Sequence, residues 1–121
     1  MARIETACEG LIYISETDAP IVPFFESGVV SASQLGRKEG LSETAVEPFI
    51  GFFQRLTEER DWYGEKEKTI AKRFFELQKL LEENLCDLRV VRIGRVQIDI
   101  YVMGTDAEGN TLGFQTKAVE T

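Results

Sequence analysis

The chain has 121 residues, of which 43% are hydrophobic and 29% charged, and its formal net charge is −7. Those values fit one globular domain with a core that needs neither disulfides nor metals. Histidine is absent, which removes Ser-His-Asp and Cys-His catalysis and every histidine metal site.

No apolar run is long enough to span a bilayer, and the start lacks the basic and apolar segments of a signal peptide. A cytoplasmic protein with no membrane partner is expected. Cys8 and Cys86 each fall in a stretch that reads as amphipathic helix, so both are expected as reduced, buried thiols. The acidic balance argues against direct binding of nucleic acid, which needs basic patches over phosphates. It favours a basic protein partner, steered by opposite charge.

In chain order, Ile4, Ala7, Cys8 and Leu11 have the spacing of a short helix over 2–9, closed by Gly10. LIYIS (11–15) is β-branched and aromatic and predicts a strand, followed by a loop over SETDAP (15–20). IVPFFESG (21–28) is extended, with Pro23 suited to a sheet edge or bulge. Ser31 and Gln34 have capping-box spacing before a short helix around Leu35, and 29–45 carries no other clear pattern. Pro48 suits the first position of a helix over 48–56, with Phe49, Phe52, Phe53 and Leu56 on one face.

TEERDWYG (57–64) reads as a polar connector. A long helix follows, with Glu65 and Glu67 in its first turn and Ile70, Phe74, Leu77, Leu81 and Leu85 as its apolar stripe. Ala71, Phe75 and Leu80 widen that stripe, so burial is expected for them too. Strands are predicted over 89–94, 95–104 and 112–120, with a turn at 105–111. In 95–104, Val96, Ile98, Ile100 and Val102 alternate with Gln97, Asp99, Tyr101 and Met103, the pattern of a strand with one core face. The element order predicts a single α+β domain over 1–121, an antiparallel β-meander packed with helices in an α/β/α sandwich.

Three stretches carry a family resemblance: EGLIYISETDAP near the start, DWY at 61–63, and LGF with TKAVET at the end. They resemble the nuclease A inhibitor family, intracellular proteins that block a nonspecific nuclease. The resemblance covers about 9–20 and 61–121. The segment 29–47 departs from it and looks shorter, and the first helix looks shorter too.

The resemblance implies a partner-binding set of Glu16, Asp61, Trp62 and Thr121. Thr121 is similar to the family residue whose hydroxyl reaches the partner nuclease's magnesium, an ion that takes oxygen ligands. Glu16, in the ISET loop, is similar to a family glutamate that enters the nuclease site, where a carboxylate can pair with an arginine. Asp18 is its neighbour. Trp62 has the residue type of a binding hot spot. From the residues alone, Glu16 is a solvated loop acid, Asp61 a helix cap, Trp62 a core residue and Thr121 an ordinary chain end.

No catalytic residues are assigned. Asp99 with Glu120 is the one pair that hints at an acid–base dyad, and both lie on polar phases of their strands. The expected function is a non-enzymatic inhibitor that blocks a magnesium-dependent nonspecific DNA/RNA endonuclease, with no cofactor of its own. The alternative is an interaction module of the same fold with an unrelated partner, which the divergent 29–47 segment would serve.

Overall fold

The computed structural model describes residues 2–14, 18–28, 44–58, 64–94 and 96–119. Chain order is α1 (Ala2–Cys8), β1 (Ile12–Ile14), β2 (Asp18–Pro20), β3 (Val22–Glu26), β4 (Thr44–Glu47), α2 (Phe49–Thr57), α3 (Glu65–Asn84), β5 (Cys86–Ile93), β6 (Gln97–Thr105) and β7 (Thr111–Val119).

The long helix forms where the apolar period places it. Gly64 opens α3, and the Glu67 carboxylate accepts the otherwise unpaired Gly64 N–H at 3.1 Å. Ala71, Phe74, Leu77 and Leu81 are buried along one stripe. Phe75 departs from expectation: it is 48% exposed, because it sits beside that stripe rather than on it. Helix α1 is short and ends without a basic residue of its own. Arg73 of α3 supplies one, donating to the carbonyls of Ala7 and Glu9. Gly10, at φ +68, then turns the chain into β1.

Five strands form one antiparallel sheet in the order β3-β7-β6-β5-β4, and β1 with β2 forms a separate hairpin. Pro23 lies on β3, an edge strand of that sheet, as its missing N–H requires. The meander β5-β6-β7 is the centre of the sheet. Its β6–β7 turn is organised by Asp106, whose Oδ1 accepts the N–H groups of Glu108 and Asn110, each at 2.9 Å.

All three described helices feed one core against one face of the sheet. That core includes Ile4 and Cys8 of α1, Phe52 and Phe53 of α2, Phe74, Leu77 and Leu81 of α3, and Val90, Ile100, Val102 and Phe114 of the sheet. The fold is therefore α+β, as expected. A helical layer on the other face, the remaining part of the expected sandwich, is not among the described residues. That other face carries its own buried cluster of Phe24, Val91, Ile93 and Met103, with Tyr101 against it.

Several local expectations need correction. Met103, on the polar phase of the predicted alternation, is fully buried in this second cluster, so β6 buries side chains on both faces. Val96, on the core phase of the predicted alternation, precedes β6 and is 47% exposed. Cys86 is not helical: it is the first residue of β5 and exposed, whereas Cys8 is buried. Asp18–Pro20 is a strand rather than loop, because it pairs with β1. Pro48 caps α2 instead of starting it, in an extended conformation, and its carbonyl accepts the Phe52 N–H at 3.1 Å. Strand β4 was missed, and the proposed Ser31–Gln34 capping box lies outside the described residues.

Candidate functional site

Glu16, Asp61, Trp62 and Thr121 all lie outside the described residues, as do Tyr63 and Glu120. The described residues on either side of them define where their segments leave the folded body. Ile14 pairs with Asp18, so the segment holding Glu16 leaves and rejoins the β1–β2 hairpin at one end. Thr121 lies two residues beyond the last residue of β7, Val119. Asp61 and Trp62 lie between Thr57, the end of α2, and Glu65, the start of α3.

Register places these departures at the same end of the molecule. Val119 pairs with Gln97 at the start of β6. β3 begins with Val22 beside Gln115 and runs away from that end to Glu26 beside Thr111. The residues before β3 therefore run back along the last part of β7, toward Val119. The Thr116 hydroxyl fixes this path by donating to the Pro20 carbonyl at 3.0 Å. Followed backward, β2 runs to Asp18 toward the Val119 end.

Helix α3 runs in the opposite sense. Leu80, Asn84 and Leu85 line a cleft with Asp106, Ala107 and Glu108 of the β6–β7 turn, which is the far end. Gly64 and Glu65 consequently belong to the Val119 end, with Thr57 of α2 lining a cleft beside Glu65 and Thr69.

Aromatic contacts tie the three carrier elements together. Tyr13 of β1 stacks on Phe52 of α2, with ring centroids 5.9 Å apart and planes within 10°. The adjacent Phe53 meets Phe114 of β7 edge-on at 6.1 Å. Such pairs add to the energy of simple burial and fix relative orientation. Sequence reading gave Tyr13, Phe52 and Thr116 no such role. The aromatic density of 48–56 was visible, but nothing in the sequence links Thr116 to Pro20, 96 residues away.

Other candidate chemistry is sparse. Asp99 sits opposite Lys117 in the β6–β7 ladder. Among the described residues there is no group of three or more Cys, Asp or Glu side chains arranged to hold a metal. Burial pushes the Cys8 thiol up from 9.0 to about 11, with the Arg73 guanidinium pulling the other way. A thiol held protonated in that way is a poor nucleophile. None of the described helices is long and apolar enough to cross a membrane.

This is a small α+β domain whose candidate contact residues belong to connections leaving one end of a packed body. The family model for nuclease A inhibitor-like proteins (NuiA) matches residues 1–121, so the match runs through 29–47, where the sequence reading found a departure. The chain belongs to the nuclease A inhibitor-like family. None of the curated proteins matches it.

Proposed function

We propose that this chain is a proteinaceous inhibitor that binds the active site of a magnesium-dependent, nonspecific DNA/RNA endonuclease and blocks it without chemistry of its own. Family membership implies the inhibitor role and a nuclease partner. The observation that supports the finer reading is the shared end: the described flanks of Glu16, of Asp61–Trp62 and of Thr121 leave the body on the same side.

In this reading Glu16 offers a carboxylate to an arginine of the partner, in the place of a substrate phosphate. Thr121 offers an oxygen to the partner's magnesium, which accepts oxygen ligands and keeps water-filled positions. Trp62 supplies buried area beside them and Asp61 a second charge. The net charge of −7 steers the chain toward a basic, nucleic-acid-binding face and away from nucleic acid itself.

The test is a titration of a magnesium-dependent nonspecific nuclease with purified protein. Digestion of both DNA and RNA should stop near a one-to-one ratio. Glu16→Ala, Trp62→Ala and Thr121→Ala should each weaken the block while leaving the circular dichroism spectrum unchanged. Inhibition that survives all three substitutions would disprove the assigned contact set.

A further inference from the structure

The outer face of α3 from Phe75 to Glu83 carries none of the candidate contact residues. Phe75 sits at the middle of the helix, half exposed, with the Lys79 ammonium 5.3 Å from the ring centroid. Lys68, Phe75 and Glu82 recur every seven residues and so lie on one line along the helix. Charge is divided about that centre. On the Phe75 side of the helix the N-terminal half holds Lys68 and Lys72 against Glu65, a balance of +1. Residues 76–84 hold Glu76, Glu82 and Glu83 against Lys79, a balance of −2. The side chains of Lys68, Lys72, Glu76, Glu82 and Glu83 make no ion pair or hydrogen bond among the described residues.

We infer that this face is a self-association surface, on which a second copy of the chain docks its own α3 antiparallel across a two-fold axis at Phe75. An isologous contact needs a surface complementary to itself. A helix that is positive in one half and negative in the other meets that requirement only when the two copies run in opposite directions. That direction also sets the helix dipoles favourably. Phe75 then meets its symmetry mate, and Lys68 of each copy faces Glu82 of the other. Lys72 approaches the other copy's Lys79, with Glu76 of both copies between them. The cleft beside Phe75, about 380 Å³, is lined mostly by polar and charged side chains, Lys68 and Lys72 among them, so apolar contact at the axis comes from Phe75 itself. A 20-residue helix is about 30 Å long and offers less than the roughly 800 Å² per partner of a standard interface, so the dimer is weak and salt-sensitive.

Sedimentation equilibrium on the full chain, from micromolar to millimolar concentration, tests this. The average mass should rise from 13.7 kDa toward twice that value at low salt, and rise less at high salt. K68E and E82K should each weaken association roughly tenfold, because each turns two attractions per dimer into repulsions. Mixing the two variants should restore it, since both cross-pairs are then opposite in sign. Phe75→Ser, at an exposed position, should weaken it with the fold intact by circular dichroism. A monomer over the whole range would overturn the inference. So would an association that ignores the charge reversals, or one that mixing fails to restore.

Discussion

Thr116→Val is the most direct way to ask whether the body of the domain positions the proposed inhibitory loop. Thr116 is 4% exposed, and its hydroxyl donates to the Pro20 carbonyl at 3.0 Å. Valine keeps the shape and removes the donor. A net intramolecular hydrogen bond contributes about 1 kcal/mol, and Pro20 is at the surface, so water can take over part of the carbonyl. The loss therefore stays near that figure, about 1 kcal/mol, or roughly fivefold in any equilibrium that needs the hairpin docked on β7. Among the described residues, the Tyr13–Phe52 stack is a second tie of the hairpin to the body, while the bond from the Ile21 N–H to the Leu11 carbonyl at 3.0 Å closes the hairpin's own open end. Amide exchange in 11–20 should accelerate by about that factor, while exchange in α3 and β6 changes less. Nuclease inhibition should weaken by a similar or smaller factor. Equal acceleration across the whole chain would show that Thr116 stabilises the fold globally and does not position the hairpin. Unchanged inhibition with a loosened hairpin would separate Glu16 from the binding surface.

Phe53→Ala, at a fully buried position joining α2 to β7, should cost about 3–5 kcal/mol in urea unfolding. Gly113→Ala should destabilise the sheet or perturb β6–β7 pairing, because a Cβ there would lie 1.9 Å from the Val102 carbonyl oxygen; thermal unfolding with amide exchange of 98–118 reads it. Cys86, exposed, should react with a thiol reagent in the native protein, while Cys8 should react only on unfolding, which peptide mapping after brief labelling distinguishes. The Cys8 thiol keeps its proton to about pH 11 when folded and loses it near 9 when unfolded. Its contribution is thus complete below about pH 9 and is lost as pH rises from there through about 11, and Cys8→Ala should flatten stability against pH across that window.

The parts of the fold that could be read from the residues are those whose burial has one period. Helix α3 shows this best, since Phe74, Leu77 and Leu81 define its stripe without help from the rest of the chain. β6 is a partial case: Ile98, Ile100 and Val102 face the main core as their alternation predicts. Met103 breaks the rule because the sheet buries a second, smaller cluster whose residues come from β3, β5 and β6, and no single strand reveals it. β2 and β4 were not legible for a different reason. Asp18–Pro20 and Thr44–Glu47 are three and four residues long, too short to display a period, and each is a strand only through its partner. Cys86 follows the same logic, since nothing local marks where α3 stops and β5 begins except the extended conformation of Leu85. For the candidate site, the residue types came from resemblance. The common side of their described flanks came from strand register, a nonlocal quantity that no window of sequence contains.

That common side follows from the topology. In an antiparallel meander every second connection falls on one side, so β5–β6 and the end of β7 share an end once β6–β7 turns at the other. Adding the α2–α3 pair in the observed direction puts its connection there as well. The β1–β2 hairpin completes the set because β3 joins β7 as an edge strand and leaves the last part of β7 open for Pro20 to approach. A binding surface made of such connections has a physical advantage. The loops can carry charge and bulk without disturbing the core, while the Tyr13–Phe52 and Phe53–Phe114 contacts hold their stems in fixed relation. The corollary is that stem and tip substitutions should differ in kind. Changes at Phe52 should lower stability and inhibition together and changes at Thr116 should loosen the hairpin and weaken inhibition, whereas changes at Glu16 or Thr121 should lower inhibition alone.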